Sequence, residues 1–415
     1  MTSNETARKI GLIGWNLQII EAADKLKKPF IVVSLNSLKY FADKHNIPFI
    51  EWEFDRNLTH EEIYEKSDIL FQKLKEENVD IAIPVLEETV EWAGAINSRI
   101  NDDPDIFAQS ILFRDKGRMK RKALLGGLRI GVFEEARDKD DIKGFLKKIN
   151  QVSLKDNRKK TYPIHIKPFD KAGAAGHRVA NDENDLEKII DTINFPCLLE
   201  THLDGVEFSC EVFIFNKKIM FLNITEYLKL GYSSMVPPSA WLEEYREKIR
   251  YAVNQLIMSF DIEYGFIHPE FFVSDEGVFY FGEVAYRIPG GHIFDLIQKT
   301  YNFNPYEAFV LCNDPNESEE KVKAIFTDEK KTNGHAGSLM VYPRVKRIKD
   351  VNIPAELQNH QCFDKHTLFE RIETKINVDD NEGYGNHYGT IFFHGNDSEQ
   401  IKQPLLQYID YDFYT

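Results

Sequence analysis

The chain predicts an α/β protein whose N-terminal part is a doubly wound parallel sheet. Over roughly its first hundred residues, short apolar runs alternate with amphipathic helical patterns, beginning with KIGLIG, LQIIEAADKLKK and PFIVVSLN. Strands that alternate with helices in this way pair in parallel, because each helix carries the chain back to the same edge of the sheet. Beyond this region, several strand patterns follow one another directly. We therefore expect a parallel N-terminal sheet followed by an α+β region.

The later elements follow from the same patterns, taken in chain order. The segment FRDKGRMKRKALLGG predicts a helix that ends at Gly126, and the charged segment KKINQVSLKDNRKKT predicts a surface loop. Three strands are predicted at PCLLETHL, EFSCEVFIF and KKIMFLNITEY. The turn-rich LKLGYSSMVPPSA predicts a long loop, and WLEEYREKIRYAVNQLIMSFD a long amphipathic helix. The last eighty or so residues predict a small α/β appendage that ends in the strand YGTIFFHG.

Composition excludes several functions. The chain of 415 residues is 42% hydrophobic and 29% charged, as expected for a soluble globular protein of two to four domains. Its net charge of −15 argues against a nucleic-acid or membrane-surface role, because both need a basic footprint. No apolar run approaches the ~18 residues that span a bilayer, and the N-terminus lacks a secretory pattern. The four cysteines form no CxxC pair, which indicates reduced thiols in a cytoplasmic protein.

The most informative segment is an acidic hairpin. Glu270 and Glu283 lie 13 residues apart in the strand-like runs FIHPEFFV and VFYFGEVAY, with the turn sequence SDEG between them. A hairpin would place one carboxylate beside the other, and paired carboxylates suit a hard divalent cation. Arg287 follows four residues after Glu283. The alternative is that both glutamates face solvent on an amphipathic hairpin.

Two further motifs favour a nucleotide. Lys167 ends a strand and precedes the small residues 172–176, whose backbone N–H groups could approach phosphate oxygens; an ordinary turn is the alternative. Glu200 and Glu207 bracket ETHLDGVE, where Glu200 and the Leu203 amide could read adenine and Glu207 could accept both ribose hydroxyls. A surface hairpin with acidic tips is the alternative there.

The order of these motifs resembles that of the ATP-grasp superfamily over roughly residues 1 to 400. The resemblance implies a pre-ATP-grasp domain around DIAIPVLEETVEWA, a metal pair at Glu270 and Glu283, and a catalytic arginine at Arg287. The nucleotide-binding residues that it implies are Lys116, Lys167, Gly173, Ala174, Gly176, Glu200, Leu203 and Glu207. The domains that it implies are 1–110 (pre-ATP-grasp), 111–199 and 200–334 (the two ATP-grasp subdomains) and 335–415 (the appendage).

The sequence departs from the family pattern at one position. Many members carry E-x-N-x-R, in which the asparagine completes the metal shell, whereas this chain has Ala285 there. Water could fill that coordination site, or another residue such as His268 could approach the metal. The E-x-A-x-R form followed by a glycine-containing turn is most similar to the L-amino-acid (dipeptide) ligase branch.

The resemblance implies a carboxylate–amine ligase that uses ATP and one or two Mg²⁺ ions, for which Mn²⁺ could substitute. Its partners would be a small carboxylate and an amine, with a homodimer left open. The substrate residues that we expect are Glu87, Glu88, His268, Gly290, Gly291 and His292, although Glu87 and Glu88 could equally cap the following helix. The alternatives are carboxylation, carbamoyl phosphate formation or carrier-protein aminoacylation, and a nucleotide-binding module that has lost catalysis.

Overall fold

The N-terminal part of the computed structural model is a four-stranded parallel sheet with strand order β3-β2-β1-β4. The structure describes residues 8–153, 160–169, 171, 173–372 and 387–415. The elements of this first part are β1 (Lys9–Ile13), α1 (Leu17–Lys25), β2 (Phe30–Ser34), α2 (Lys39–Lys44), β3 (Phe49–Glu51), α3 (His60–Glu76), β4 (Val79–Pro84), α4 (Val90–Asn101) and α5 (Pro104–Leu112). The predicted parallel α/β unit is therefore present, with its strands buried between helices as this architecture requires.

A second, antiparallel sheet of four strands follows, with order β5-β8-β6-β7. Its elements are α6 (Lys116–Leu125), β5 (Phe133–Ala136), α7 (Lys139–Ser153), β6 (Ile164–Lys167), β7 (Arg178–Ala180), α8 (Glu183–Ile189) and β8 (Cys197–Thr201). Helix α7 corrects the loop predicted at KKINQVSLKDNRKKT, since residues 147–153 are helical; residues 154–159 lie outside the described part. The helix forms because Ile142, Phe145 and Ile149 share one face and are buried against the sheet.

The third sheet has eight strands in the order β13-β12-β9-β10-β11-β14-β16-β15. Its elements are β9 (Val206–Phe215), β10 (Lys218–Lys229), β11 (Ser233–Val236), α9 (Ala240–Glu243), α10 (Arg246–Phe260), β12 (Gly265–Val273), β13 (Phe279–Ala285), α11 (Ile293–Tyr301), α12 (Pro305–Cys312), α13 (Glu319–Ile325), β14 (His335–Met340), α14 (Ala355–Gln358), β15 (Phe363–His366), β16 (Thr390–Gly395) and α15 (Ser398–Gln407). Strand β11 corrects the loop predicted at LKLGYSSMVPPSA. It joins β10 to β14, so the last three strands extend the same sheet. The domain boundaries given above stay a prediction.

Salt bridges fasten the N-terminal unit to the large sheet. The Lys28 ammonium, after α1, pairs with the carboxylates of Asp314 and Glu317, which follow α12. All three side chains are at least 85% buried, and helices α1 and α12 pack against each other. A lysine shared by two buried carboxylates is costly to break, because removal of one partner leaves an uncompensated charge. This contact ties the segment before β2 to the segment that follows α12.

The large sheet has an apolar outer face and a partly polar inner face. On the outer side, α10 buries Val253, Leu256 and Ile257 against the strands, which explains its helical spacing of apolar residues. The other side carries Ser209, Glu211, His268, Glu270 and Glu283 along β9, β12 and β13. In the described part of the chain, no helix combines the length and apolar character that a membrane span needs.

Candidate active site

The acidic hairpin forms as predicted and brings its two carboxylates together. Strands β12 and β13 pair antiparallel, with Glu270 directly opposite Glu283 and His268 directly opposite Ala285. On its other side β12 pairs with β9, where Ser209 lies opposite Glu270. Residues directly opposite in an antiparallel pair have their Cβ atoms about 4.5–5.5 Å apart, so both carboxylates leave the sheet at one point on the same face.

A lysine at the start of helix α6 approaches this acidic pair. Lys116 begins α6, capped by the Asp115 side chain, and its Nζ lies 3.0 Å from Glu283 Oε2 and 3.0 Å from the Lys171 carbonyl oxygen. Burial alone would raise the pKa of Glu283, but the charges of Lys116 and Lys167 outweigh burial and lower it. Glu283 is therefore ionised at neutral pH.

Lys167 belongs to a second ion cluster that the sequence did not fully reveal. Glu200 is 6% exposed and accepts from Lys167 Nζ at 2.7 Å and from Lys120 Nζ at 2.6 Å. Burial alone would raise the pKa of Glu200, but the charges of Lys120 and Lys167 outweigh burial and lower the pKa. Lys120 was missed, although it follows Lys116 by one helical turn and so points to the same side of α6. Each oxygen of the Glu200 carboxylate thus accepts from one lysine, and its role in reading adenine stays a prediction.

The rest of the predicted hinge is arranged as a bend between β8 and β9. Across the described residues, no backbone hydrogen bond uses the Leu203 N–H as its donor, so this group is available to a ligand. Glu207 lies at the start of β9, opposite Phe272. Burial, with the Glu270 charge adding to it, raises the pKa of Glu207 to about 8.

Arg287 follows β13 and reaches across to the N-terminal unit. Its Nε donates to Glu87 Oε2 at 2.6 Å, and the Arg114 guanidinium pairs with the other oxygen of the same carboxylate. Burial would raise the pKa of Glu87, but Arg287 and Arg114 outweigh it and hold the value at about 2. Burial would also lower the pKa of Arg287, but Glu87, helped by Glu270 and Glu283, raises it. Glu88 instead pairs with the exposed Arg56.

The loop after Lys167 adopts backbone conformations that suit small residues. Gly173, Ala174 and Gly176 all have φ near +60° to +71°, and Ala172 lies outside the described residues. Left-handed turns of this kind point successive N–H groups to one side and form anion-binding concavities. The predicted phosphate loop therefore has a suitable backbone, and its role in binding stays a prediction.

A row of three histidines links this loop to the hinge and was not foreseen. His165 Nδ1 lies 2.9 Å from His177 Nε2, and His165 Nε2 lies 3.0 Å from His202 Nδ1. Burial, followed by the charge of Lys167, lowers the pKa of His165 to about 3 and that of His177 to about 4. The rings of His165 and His177 are therefore neutral at neutral pH. The contact could not be read from the sequence, because the three residues lie on different elements.

The predicted substrate residues 290–292 form a turn beside β14. Gly291 has φ +61°, and its carbonyl oxygen accepts from Ser338 Oγ at 2.9 Å. Gly290 has open space where a Cβ would stand. His292 Nδ1 lies 2.7 Å from Asp295 Oδ2, and its ring packs edge-on against Phe392. This turn leaves backbone accessible close to Arg287.

The donor set fits a magnesium ion that is shared with a nucleotide. Within the described ranges, no group of three or more His, Cys, Asp or Glu side chains is arranged as a preformed metal site. Mg²⁺ does not require one, because it usually binds through one or two carboxylates, substrate phosphates and water. Glu270 and Glu283 supply the carboxylates, and the neighbouring lysines would neutralise phosphate oxygens.

Comparison with known proteins supports the fold. No family model matches the chain. The L-arginine-specific L-amino acid ligase of Bacillus subtilis is 22% identical over 265 residues, which is 60% of this chain. The match spans 62% of that relative's length.

Solved structures resemble the chain over almost its whole length. An L-amino acid ligase from Bacillus licheniformis superposes with a TM-score of 0.74 at 17% identity, covering 98% of this chain and 99% of that one. An N5-carboxyaminoimidazole synthetase from Staphylococcus aureus, complexed with ADP, superposes with a TM-score of 0.65 at 18% identity, covering 96% of each chain. These likenesses confirm the predicted ATP-grasp fold.

Proposed function

We propose that this protein is an ATP- and Mg²⁺-dependent carboxylate–amine ligase that joins an amino acid to a second amino acid or a small amine. The observation that carries the proposal is the juxtaposition of the Glu270–Glu283 pair with Lys116, Lys167 and Arg287. Two carboxylates and three fixed cations that converge on one region suit a transferring phosphoryl group, which requires positioning and charge neutralisation.

The nucleotide would lie between the two antiparallel sheets. Lys116 and Lys167 would neutralise its phosphates, and loop 173–176 would cover them and exclude water. The Leu203 N–H would donate to the adenine ring, and Glu207 would accept from the ribose. Glu200 would accept from the adenine amine and, through its contact with Lys167, would also hold that lysine in place.

Glu270 and Glu283 would hold the cation, which supplies Lewis-acid charge neutralisation across the phosphates when bound. The γ-phosphoryl group would then pass to the substrate carboxylate, giving an acyl phosphate and ADP. The amine would attack the acyl carbon, and phosphate would leave. Arg287 is held in place by Glu87 and would stabilise the negative charge that develops on the phosphoryl and acyl oxygens.

The choice of substrates follows the comparisons. Two of the similar proteins carry the name L-amino acid ligase, and the accessible turn at Gly290 and Gly291 offers backbone groups for an amino-acid carboxylate or amine. Several other solved relatives are N5-carboxyaminoimidazole synthetases, which favours carboxylation as the second candidate.

A substrate screen separates the two candidates. ADP release would be measured with Mg-ATP and amino acids or small carboxylates, singly and in pairs, and with bicarbonate in a parallel arm. The proposal predicts ADP release that depends on an amino acid, and a product whose mass is that of both substrates less one water. ADP release that responds only to bicarbonate would overturn the ligase assignment in favour of carboxylation.

A further inference from the structure

His268 lies beside the proposed metal carboxylates and has no role in the function proposed above. It is on β12, 6% exposed, and two residues before Glu270. Its two ring nitrogens face different carboxylates: Nδ1 lies 3.0 Å from Glu211 Oε1, and Nε2 lies 3.6 Å from Glu270 Oε1. The ring thus stands between a fully buried acid and the acidic pair of the cleft.

Glu211 is built to hold this ring in one orientation. Its side chain is completely buried on β9, and it accepts from Thr225 Oγ1 at 2.6 Å, from Ser209 Oγ at 3.0 Å and from the Asn223 amide. With three donors already in place, the remaining contact assigns the proton of the imidazole to Nδ1, which donates to Glu211. The other ring nitrogen, Nε2, then faces Glu270, and a cation that binds there would displace any proton it carries.

The position of His268 in the sheet is also informative. It lies directly opposite Ala285, as Glu270 lies opposite Glu283. Ala285 has no side-chain donor, so the imidazole is the nearest ligand that this rung of the hairpin offers. Nε2 lies 3.6 Å from Glu270 Oε1. Two atoms that bind the same cation, each through a metal–ligand bond of about 2.1 Å, can be at most about 4.2 Å apart. One ion can therefore contact both atoms.

We propose that Nε2 of His268 is a ligand of the divalent cation beside Glu270, with Glu211 as the residue that positions it. A carboxylate that accepts from one nitrogen while the other binds metal is the usual support of a metal-bound histidine. An imidazole ligand suits Mn²⁺ and later transition metals better than Mg²⁺. The site therefore favours Mn²⁺ over Mg²⁺ more strongly than an all-oxygen site would. This inference rests on the proposed metal–nucleotide site.

The test is spectroscopic and does not require turnover. The protein is loaded with ADP and Mn²⁺, and electron spin-echo envelope modulation is recorded on samples with natural and with ¹⁵N-labelled histidine. The expected result is a directly bound imidazole nitrogen whose modulation changes with the ¹⁵N label. His268→Asn should remove that signal, and His366→Gln, a change at an exposed histidine on β15, should retain it.

Affinities give a second readout. Glu211→Gln should weaken Mn²⁺ binding to the ADP complex by about 10- to 100-fold, the usual effect of losing a residue that supports a metal ligand. His268→Asn, which supplies an amide oxygen, should reduce the preference for Mn²⁺ over Mg²⁺. If Mn²⁺ and ADP bind to the wild-type protein without any histidine modulation, the inference is wrong and the ligase proposal stands. If Mn²⁺ and ADP do not bind at all, both are wrong.

Discussion

Replacing Glu87 by glutamine removes the carboxylate that two largely buried arginines share. The Arg114 and Arg287 side chains are 12% and 20% exposed, and each pairs with a different oxygen of Glu87. Glutamine keeps the size of the side chain but carries no charge and offers one acceptor in place of two. The Glu87→Gln variant therefore removes the charge that the two guanidinium groups share, and leaves Arg114 with the more distant Glu91 carboxylate, 3.9 Å from its Nε.

The size of the effect follows from the Glu87 pKa, which falls from an ordinary value of 4.5 to about 2 in the folded protein. A shift of this size corresponds to about 3 kcal/mol of stabilisation by the ionised form. Because the folded pKa is depressed, this stabilisation is fully present above pH 4.5 and is lost as the pH falls from 4.5 towards 2. About 1.4 kcal/mol of it is lost by pH 3.5, where the unfolded chain binds the proton and the folded one does not.

The assay is urea unfolding of wild type and variant at pH 7 and at pH 3.5. The free energy of unfolding of Glu87→Gln should lie about 3 kcal/mol below wild type at pH 7 and about 2 kcal/mol below it at pH 3.5. The matched control is Glu88→Gln, whose partner Arg56 is 69% exposed, and which should cost less than about 1 kcal/mol. Equal effects of the two substitutions, or a Glu87 effect that does not change with pH, would refute this account of the cluster.

Three further predictions concern the proposed reaction. Glu283→Gln should lower turnover by far more than tenfold, and a tenfold loss already corresponds to about 1.4 kcal/mol of barrier. Its circular dichroism spectrum should be unchanged, and the control Glu263→Gln, at an exposed position, should keep full activity. Comparable activity of the two variants would contradict the metal role of Glu283. Arg287→Ala should lower kcat much more than it raises KM for ATP, as steady-state kinetics would show, and a change confined to KM would assign Arg287 to binding alone. ATP should be preferred to GTP, because the hinge at residues 200–207 is expected to read adenine, and equal kcat/KM values for the two nucleotides would exclude that role.

Much of the fold could be read from the sequence because it depends on local patterns. The alternation of strands and helices predicted the parallel N-terminal sheet, and the two apolar runs around SDEG predicted the hairpin that sets Glu270 opposite Glu283. Both signals lie within a few tens of residues. The helix α7 was missed because its many charged residues hid the spacing of three apolar ones, which only burial against the sheet makes decisive.

The parts of the site that could not be predicted depend on contacts between distant segments. Glu87 and Arg287 are 200 residues apart in the chain, and no periodicity relates them. Strand β11 was interpreted as loop because Gly231 and two prolines flank a run of only four residues. His268 was a candidate site residue in the sequence but Glu211 was not, and their pairing became visible only when β9 and β12 were placed side by side.

The central claim is that the carboxylate is activated as an acyl phosphate, and trapping that species with hydroxylamine tests it most directly. The protein would be incubated with ATP, Mg²⁺, an amino acid that stimulates ADP release, and hydroxylamine in place of the second substrate. The account predicts an amino-acid hydroxamate that forms in step with ADP. ADP release with neither hydroxamate nor amide, for every carboxylate that stimulates it, would contradict the acyl-phosphate mechanism.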